Sequence, residues 1–522
     1  MGSIHNSARS QSAEPLILIP ADVPSVELLL LESPEVDAPG RSARGWLTCF
    51  DGVVAAATLW VIGLTVHGWR QYDIFRVSGF DIGIFNQGTW LLAHGQAPFV
   101  TLRGLNLLGD HASYILVLIA PLYRLWPDPR LLILVQAIFL AVPAIVAYLL
   151  AEKRISPFAG FAIALAYLAY PAMNFAAGWQ FHPETIAAGF LAMAVLSADR
   201  KSFLGMAAFL GLAISCKEDV SFVVAGFGVI LWLSGERKVG ARVVAFSLAY
   251  FALMTFVVLP LINGGDSIYF PRNYGVSGSG LSALVSAAPI ILWRAVKHLT
   301  SAEGLQYLAL MFAPMMLLPF LGPRWLIAII PPLVLNLGST IPYQKEIEYQ
   351  YLATSAPFIT VAAIYGLESL KLAGRRTQPI LVVMLVLAGA LGLANGPWID
   401  MKAQFSMVDP ETQQARRVAL AMVPAGASVT ATYNMDVQLS GRKTIYEFPN
   451  PFRGANWSSD DLIEPWRADA VDYVVVDRTV LTADTQEVFD QLHSSPTWSP
   501  VYDSLGVIVL KRVGGPGVDR SQ

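Results

Sequence analysis

The segment "RLLILVQAIFLAVPAIVAYLLAEKR" (residues 130–154) decides the class of fold. Residues 130–151 contain a single charged side chain, Arg130, and a helix needs about 20 mostly apolar residues to cross a bilayer. Lys153 and Arg154 follow at once, and basic residues collect in the cytoplasmic loops of membrane proteins. The segment therefore predicts a membrane helix that ends inside the cell.

The composition of the whole chain agrees with this prediction. Of its 522 residues, 55% are hydrophobic and only 14% are charged, whereas soluble domains carry about 25% charged residues. The formal net charge of -3 is too small to indicate binding to nucleic acid. The chain is therefore predicted to be a multi-pass protein of the cell membrane.

The same rules of length and charge divide the chain into about eleven spans. Arg41 and Arg44 precede the first span, which places the N-terminus in the cytoplasm, and residues 1–45 are predicted to be a disordered tail. Residues 113–126 are apolar but short for a membrane span. Counting them as a span would place the basic pairs later in the chain outside the cell, against the charge rule. They are therefore predicted to lie in the outer interface. A second interfacial helix is predicted at 281–299. The predicted spans are 47–68, 130–151, 156–176, 184–199, 202–216, 220–234, 243–262, 304–321, 325–338, 352–370 and 378–396.

Residues 397–522 differ in composition from the membrane domain at 46–396. Their charge content is ordinary and their apolar runs are short and rich in β-branched residues, which indicates buried strands. The sequence predicts a small α/β domain on the outer face. The predicted strands are "SVTATYN" (428–434), "TIYEF" (444–448), "VDYVVVDR" (471–478) and "LGVIVLKR" (505–512), with a helix in "PETQQARRVALAMV" (410–423).

Polar clusters from separate loops all fall on the predicted outer side. Ionisable groups at helix ends beneath an outer cap usually mark a functional site. The candidates are Asp81 in "GFDIGIFNQGTW" (79–90), Asp110 and His111 in "GDH", His182 and Glu184 in "FHPE", Lys217, Glu218 and Asp219 in "KED", Arg272, and Lys345 and Tyr349 in "YQKEIEYQ" (343–350).

Each cluster also has a purely structural explanation. Asp81 could cap the following helix, and Pro183 with Glu184 is what a helix start prefers. Lys217 could snorkel to the interface, and the tyrosines near Tyr349 could form an aromatic belt. No P-loop, nucleophile elbow or metalloprotease motif is present, so the sequence gives no indication of ATP hydrolysis.

Five segments together resemble a known family. They are "FDIGIFNQGTWLLAHGQ" (80–96), "GDHASYILVLIAPLYRLWPDP" (109–129), "FHPE" (181–184), "KED" (217–219) and "YQYLATSAPF" (349–358). In this order they resemble the family named domain of unknown function 2079, multi-spanning membrane proteins of bacteria and archaea that are grouped with the GT-C glycosyltransferases. The resemblance covers residues 50–400.

The resemblance implies a GT-C-like, α-helical polytopic fold and sugar transfer at the outer leaflet. The donor would be a sugar on a polyprenyl-phosphate carrier, and the acceptor a hydroxyl of an envelope glycan, lipid or protein, with inversion at the sugar. The acidic residue of the first outer loop, here Asp81, would be the general base. The family often has an acidic or other polar residue where this chain has Asn86, and no catalytic role is assigned to Asn86.

Elementary chemistry assigns roles to the other candidates. An anionic donor needs cations, for which Lys217, Arg272 and Lys345 are available, and His111 or His182 could donate hydrogen bonds. A second carboxylate, from Asp110, Glu184 or Glu218, would stabilise a transition state with oxocarbenium character. A divalent metal, Mg or Mn, could be held by Asp81, Asp110, His182 and Glu184, although no cofactor is firmly implied.

Two other functions remain open from sequence. A transporter or lipid flippase would carry charge near the bilayer midplane and broken helices, which the sequence does not clearly show. A non-catalytic envelope scaffold would leave Asp81, His182 and Lys217 without a role.

Overall fold

Most of the described chain is helical, with a small sheet near the C-terminal end. The computed structural model describes residues 43–178, 180–263, 265, 273–275, 280–398, 409–453 and 465–513. Of the predicted tail at 1–45, residues 1–42 lie outside the described residues, and residues 43–45 form the start of a helix. The candidate Arg272 also lies outside the described residues. The helices are α1 (Ala43–Asp73), α2 (Ile84–Ala93), α3 (Leu107–Asp110), α4 (Ile115–Tyr123), α5 (Arg130–Arg154), α6 (Pro157–Leu168), α7 (Pro171–Gly178), α8 (Pro183–Asp199), α9 (Phe203–Ile214), α10 (Val220–Leu233), α11 (Arg237–Leu253), α12 (Leu259–Asn263), α13 (Gly280–Leu299), α14 (Ala302–Phe312), α15 (Ile330–Gly338), α16 (Ala356–Leu372), α17 (Gln378–Ala394), α18 (Pro410–Ala421), α19 (Asp436–Leu439) and α20 (Ala483–Ser494).

Three described helices are long and apolar enough to cross a membrane by themselves. They are Cys49–Asp73 within α1, the whole of α5, and the continuous run Arg237–Asn263 through α11 and α12. Shorter apolar helices occupy several other predicted spans, including α9, α10 and α17. Helix length alone therefore does not give the number of crossings, and the predicted eleven stay a prediction.

The predicted span at 156–176 is not one straight helix. Helices α6 and α7 meet at an angle of 53°. The bend falls directly before Pro171, because proline disfavours helical geometry in the residue that precedes it.

The predicted spans at 304–321 and 325–338 are only partly α-helical. After α14 the chain forms short 3-10 turns up to Ile329, where α15 follows. Prolines at 314, 319 and 323 begin these turns and lack the N–H group that a continuous helix needs. Gly366 of α16 packs against this irregular backbone, where a Cβ would overlap the Leu318 carbonyl.

Charged residues pair at the end of the bundle where α5, α8 and α16 terminate. Arg154 donates to Asp199 at 2.6 Å and to Glu368 at 3.3 Å, and Lys153 donates to Asp199 at 2.9 Å. Helix α8 has 17 residues, which at 1.5 Å per residue separates this end from the first turn of α8 by about 25 Å. The predicted outer candidates His182 and Glu184 therefore lie at the opposite end of the bundle.

The C-terminal domain is built on a mixed sheet of five strands, in the order β4-β3-β5-β7-β6. All four predicted strands and the helix at α18 are present, and the fifth strand, β6, was not predicted. Strands β4, β3 and β5 are parallel, while β7 and β6 are antiparallel to their neighbours. The bounds are β3 (Val429–Ala431), β4 (Ile445–Glu447), β5 (Tyr473–Asp477), β6 (Trp498–Ser504) and β7 (Val507–Arg512), and a separate hairpin near α2 pairs β1 (Phe99–Val100) with β2 (Leu105–Asn106).

Candidate active site

Asp81 lies in a wide helical turn, Gly79–Gly83, between α1 and α2. Gly83, not Asp81, occupies the cap position of α2, so the explanation of Asp81 as a helix cap is wrong. Its carboxylate instead faces the ring of His182, with Oδ1 3.2 Å from Nε2. The Asp81 side chain remains 25% exposed, which leaves it accessible to a second molecule.

Both nitrogens of His182 face hydrogen-bond acceptors. Nδ1 lies 3.0 Å from the Gln180 carbonyl oxygen, and Nε2 lies against Asp81. Two acceptors are satisfied together only when both ring nitrogens carry hydrogen, as in imidazolium. Burial is the largest single effect and lowers the pKa of His182. The charge and hydrogen bond of Asp81, with smaller contributions from Glu184 and Gln180, together outweigh it and raise that pKa. The structure thus favours an ion pair between Asp81 and His182.

Two buried glutamines hold this pair in place. Gln136 of α5 accepts a hydrogen bond from the His182 backbone N–H at 2.9 Å. The side chain of Gln180 accepts from the backbone N–H groups of Ser78 and Ile82 at 3.4 and 3.3 Å. The first contact orients the start of α8, and the second ties the Asp81 turn to the loop that carries His182.

Lys217 is buried between two carboxylates. Its Nζ lies 3.2 Å from Glu184 and 3.4 Å from Asp219, and it faces the ring of Tyr351 at 5.8 Å. Burial opposes the charge, but the two carboxylates outweigh it and hold the pKa of Lys217 well above its usual range. Lys217 therefore remains a cation, and two of its three N–H groups face these carboxylates.

Two further pairs surround the same space. Glu218 accepts from His111 Nδ1 at 2.8 Å and from the Ala112 backbone N–H at 3.0 Å. Burial opposes protonation of His111, but the Glu218 carboxylate raises the pKa of His111 above its usual value. Arg103, which is 2% exposed, donates to both oxygens of Asp110 at 3.2 Å.

These groups line one cavity of about 590 Å³. Seven of the eleven candidate residues lie on its wall: Asp81, Asp110, His111, His182, Glu184, Lys217 and Tyr349. The rest of the wall comes from Phe80, Ile84, Phe85, Arg103, Ser113, Pro183, Ile341, Tyr343, Gln350 and Tyr351. Within the described residues, the C-terminal domain contributes nothing to this wall.

The other four candidates have different positions. Asp219 lies 3.4 Å from Lys217 but not on this wall. Glu218 lies behind His111 and is 1% exposed. Lys345 lines a separate cavity of about 440 Å³ with Glu303 and Tyr307. Arg272 lies outside the described residues.

Sequence reasoning missed Arg103, Gln136 and Gln180. Arg103 lies seven residues before Asp110. Two opposite charges this close in the sequence were the signal from which an ion pair could have been predicted. The two glutamines carried no signal beyond being polar residues in or beside apolar segments.

The four proposed metal ligands do not form a ready-made metal site. Each of the four is already paired with another side chain. Arg103 donates to the Asp110 carboxylate, Lys217 lies against Glu184, and Asp81 faces His182. Within the part of the chain that the structure describes, no three His, Cys, Asp or Glu side chains are grouped to hold a metal ion.

Solved structures with a similar fold are membrane glycosyltransferases of the GT-C class. ArnT from Cupriavidus metallidurans bound to undecaprenyl phosphate matches with a TM-score of 0.55 and 14% identity, covering 90% of this chain and 99% of ArnT. The same protein in the apo state matches with a TM-score of 0.53 and 13% identity, covering 90% of this chain and 98% of ArnT. The oligosaccharyltransferase of Archaeoglobus fulgidus tethered with an acceptor peptide is 13% identical, covering 88% of this chain and 74% of its own, and its TM-score of 0.43 is too low to establish a shared fold.

No curated protein matches the chain. A family model does match, over residues 71–509, which is most of the sequence. The chain therefore belongs to the family described as predicted membrane protein DUF2079.

Proposed function

We propose that this protein is a membrane glycosyltransferase, which moves a sugar from a polyprenyl-phosphate donor to a hydroxyl of a cell-envelope acceptor. The observation that carries the proposal is the Asp81–His182 pair on the wall of a cavity that also presents Lys217, His111 and Arg103. A partly exposed carboxylate next to buried cations is what a reaction between an alcohol and an anionic donor requires.

In the proposed reaction Asp81 is the general base. His182 holds Oδ1 of the carboxylate, which leaves Oδ2 to accept the proton of the acceptor hydroxyl. The acceptor oxygen bonds to the anomeric carbon as the bond from that carbon to the phosphate oxygen breaks, and the configuration inverts. The electron pair of the broken bond leaves on the polyprenyl phosphate.

The cations of the cavity would bind that phosphate. Lys217 has a third N–H group beyond the two that face Glu184 and Asp219, and His111 is 28% exposed. Arg103 lines the same wall. Glu184, beside Lys217, is the carboxylate placed to stabilise positive charge on the sugar ring.

The proposed orientation follows the charge rule for membrane proteins. The basic residues paired near Arg154 face the cytoplasm, and the cavity opens at the outer face. The proposal keeps eleven spans, a cytoplasmic N-terminus and an outer C-terminal domain. ArnT, with a similar fold, binds undecaprenyl phosphate, which supports a lipid-linked donor for this chain too.

Purified protein in proteoliposomes tests the proposal. We expect it to release undecaprenyl phosphate from undecaprenyl-phosphate carrying glucose, mannose or galactose when an envelope extract from a deletion strain is supplied as the acceptor. The same strain should lack a sugar in the mass spectrum of its envelope glycans. An unchanged spectrum together with no release from any donor would refute the proposal.

A further inference from the structure

The C-terminal domain contacts the Asp81 turn through residues that do not line the cavity. Residues 436–443, here called the support segment, make hydrogen bonds on both sides of that turn. Gln438 Nε2 donates to the Tyr72 carbonyl at 2.9 Å, and Ser440 Oγ accepts from Asn86 Nδ2 at 2.7 Å. The support segment thus connects the end of α1 with α2, the two elements between which the turn lies.

Asp436 is the residue of the support segment that touches the turn itself. It is fully buried. The backbone N–H groups of Gly79 and Val437 lie close enough to act on its carboxylate, although neither oxygen has a hydrogen bond of ordinary geometry within the described residues. A Cβ built on Gly79 would overlap Asp436 Oδ2. Glycine at position 79 therefore allows the backbone of the turn to lie directly against the carboxyl group.

A second glycine of the turn packs against the same segment. A Cβ on Gly83 would lie 3.6 Å from Val437 Cγ2, in ordinary van der Waals contact. The turn therefore meets the support segment at both of its ends, and the contact at Gly79 is the tighter.

Asp436 is suited to a role of contact rather than charge. Burial, together with the nearby negative charge of Glu447, raises the pKa of Asp436 well above its usual range. Burial of a carboxyl group disfavours its charged form. The contact with Gly79 is one of shape, because it depends on the position of the carboxyl group against the backbone.

We infer that Asp436 is a positioning residue, through which the C-terminal domain sets the place of Asp81 opposite His182. This inference rests on the proposed function for its effect on catalysis. A displacement of about 1 Å at a reacting group costs about a hundredfold in rate. The domain then belongs to the catalytic apparatus, although none of its described residues lines the cavity.

The test is a double-mutant cycle between the two contacting residues. The variant Gly79→Ala should lower kcat about a hundredfold, because the new methyl group overlaps Asp436 and displaces the turn. The variant Gly79→Ala with Asp436→Ala should recover most of that loss, since the overlapping carboxyl group is gone. Gly426→Ala is the matched control, because a Cβ there meets nothing within 4 Å. A double variant as inactive as Gly79→Ala would overturn the inference.

A second readout does not depend on sugar transfer. In nanodiscs, NMR titration of His182, assigned with His182→Asn, should give a raised pKa in the wild type, a lower one in Gly79→Ala and a restored one in the double variant. This pattern in a protein that releases no polyprenyl phosphate would support the positioning role and refute the proposed function. A His182 pKa that stays the same in every variant would overturn the positioning role.

The conservative variant Asp436→Asn tests whether Asp436 acts through its packing against Gly79 or by transferring a proton. Its amide has nearly the shape of a neutral carboxyl group, so kcat and the His182 titration should stay close to wild type. A loss as large as that of Gly79→Ala would assign Asp436 a proton-transfer role and overturn the inference.

Discussion

The variant Asp81→Asn removes the proposed base while changing little else around it. The asparagine Oδ1 can still accept a hydrogen bond from His182 Nε2, which lies 3.2 Å from Asp81 Oδ1. The side chain is 25% exposed, so the substitution leaves no cavity, and the loss of the Asp81 charge lowers the pKa of His182. We therefore expect the variant to fold and to insert into the membrane as the wild type does.

The size of the expected loss in rate follows from the role of Asp81 as the general base. General base catalysis contributes about 10²- to 10⁴-fold to rate, which at 1.36 kcal/mol per tenfold raises the barrier by about 2.7 to 5.4 kcal/mol. The proposed phosphate ligands Lys217 and His111 are unchanged. The loss should therefore appear in kcat, with the donor KM within about threefold of wild type.

The assay measures release of polyprenyl phosphate from a sugar-loaded donor in proteoliposomes. The matched control is Glu303→Gln, which alters an exposed carboxylate outside the main cavity and should keep wild-type kcat. Transfer by Asp81→Asn at more than about a third of the wild-type rate would be too fast for the loss of a general base. Asp81 would then have no part in the proton transfer.

Three further outcomes are expected. The pKa of His111 is raised, so its positive charge is present at low pH and is lost as pH rises through that pKa. The variant Glu218→Gln should lower the pKa of His111, so that the donor KM begins to rise at lower pH than in the wild type. An unshifted KM–pH profile would argue against His111 as a phosphate ligand. The variant Lys217→Met leaves buried carboxylates without their cation and should cost about 3–5 kcal/mol of stability, measured as a lower Tm in detergent. Adding Glu184→Gln should recover part of the lost stability. Equal Tm values for the wild type and Lys217→Met would contradict the ion pair. In a variant without Cys49 and Cys216, a cysteine placed at the exposed position of Lys201 should react with a membrane-impermeant maleimide only after the cells are permeabilised. Labelling in intact cells would show that the orientation is opposite to the proposed one.

The sequence predicted which candidates lie close together better than it described the helices. Asp81, His182 and Lys217 could be grouped in advance because charges are costly in a membrane and concentrate at helix ends. The partners of each charge could not be predicted. That Lys217 binds Glu184 and His111 binds Glu218 depends on the packing of loops distant in sequence.

The errors in the helices have a local cause. Hydropathy treats residues 304–321 as one apolar run, but prolines at 314 and 319 interrupt its backbone hydrogen bonding. In a soluble loop such irregular backbone would bond to water, whereas here it packs against α16, where Gly366 allows close approach. The strands of the C-terminal domain were easier to predict, because each is a short β-branched run between turn residues.

The hydrogen bond between Asn86 and Ser440 joins positions 354 residues apart in the chain. During synthesis, Asn86 leaves the ribosome long before Ser440 is made, so the turn that carries Asp81 cannot gain this support until nearly the whole polypeptide exists. A prematurely terminated product would insert its early helices without a finished site. On the proposed function, such fragments would have no transferase activity.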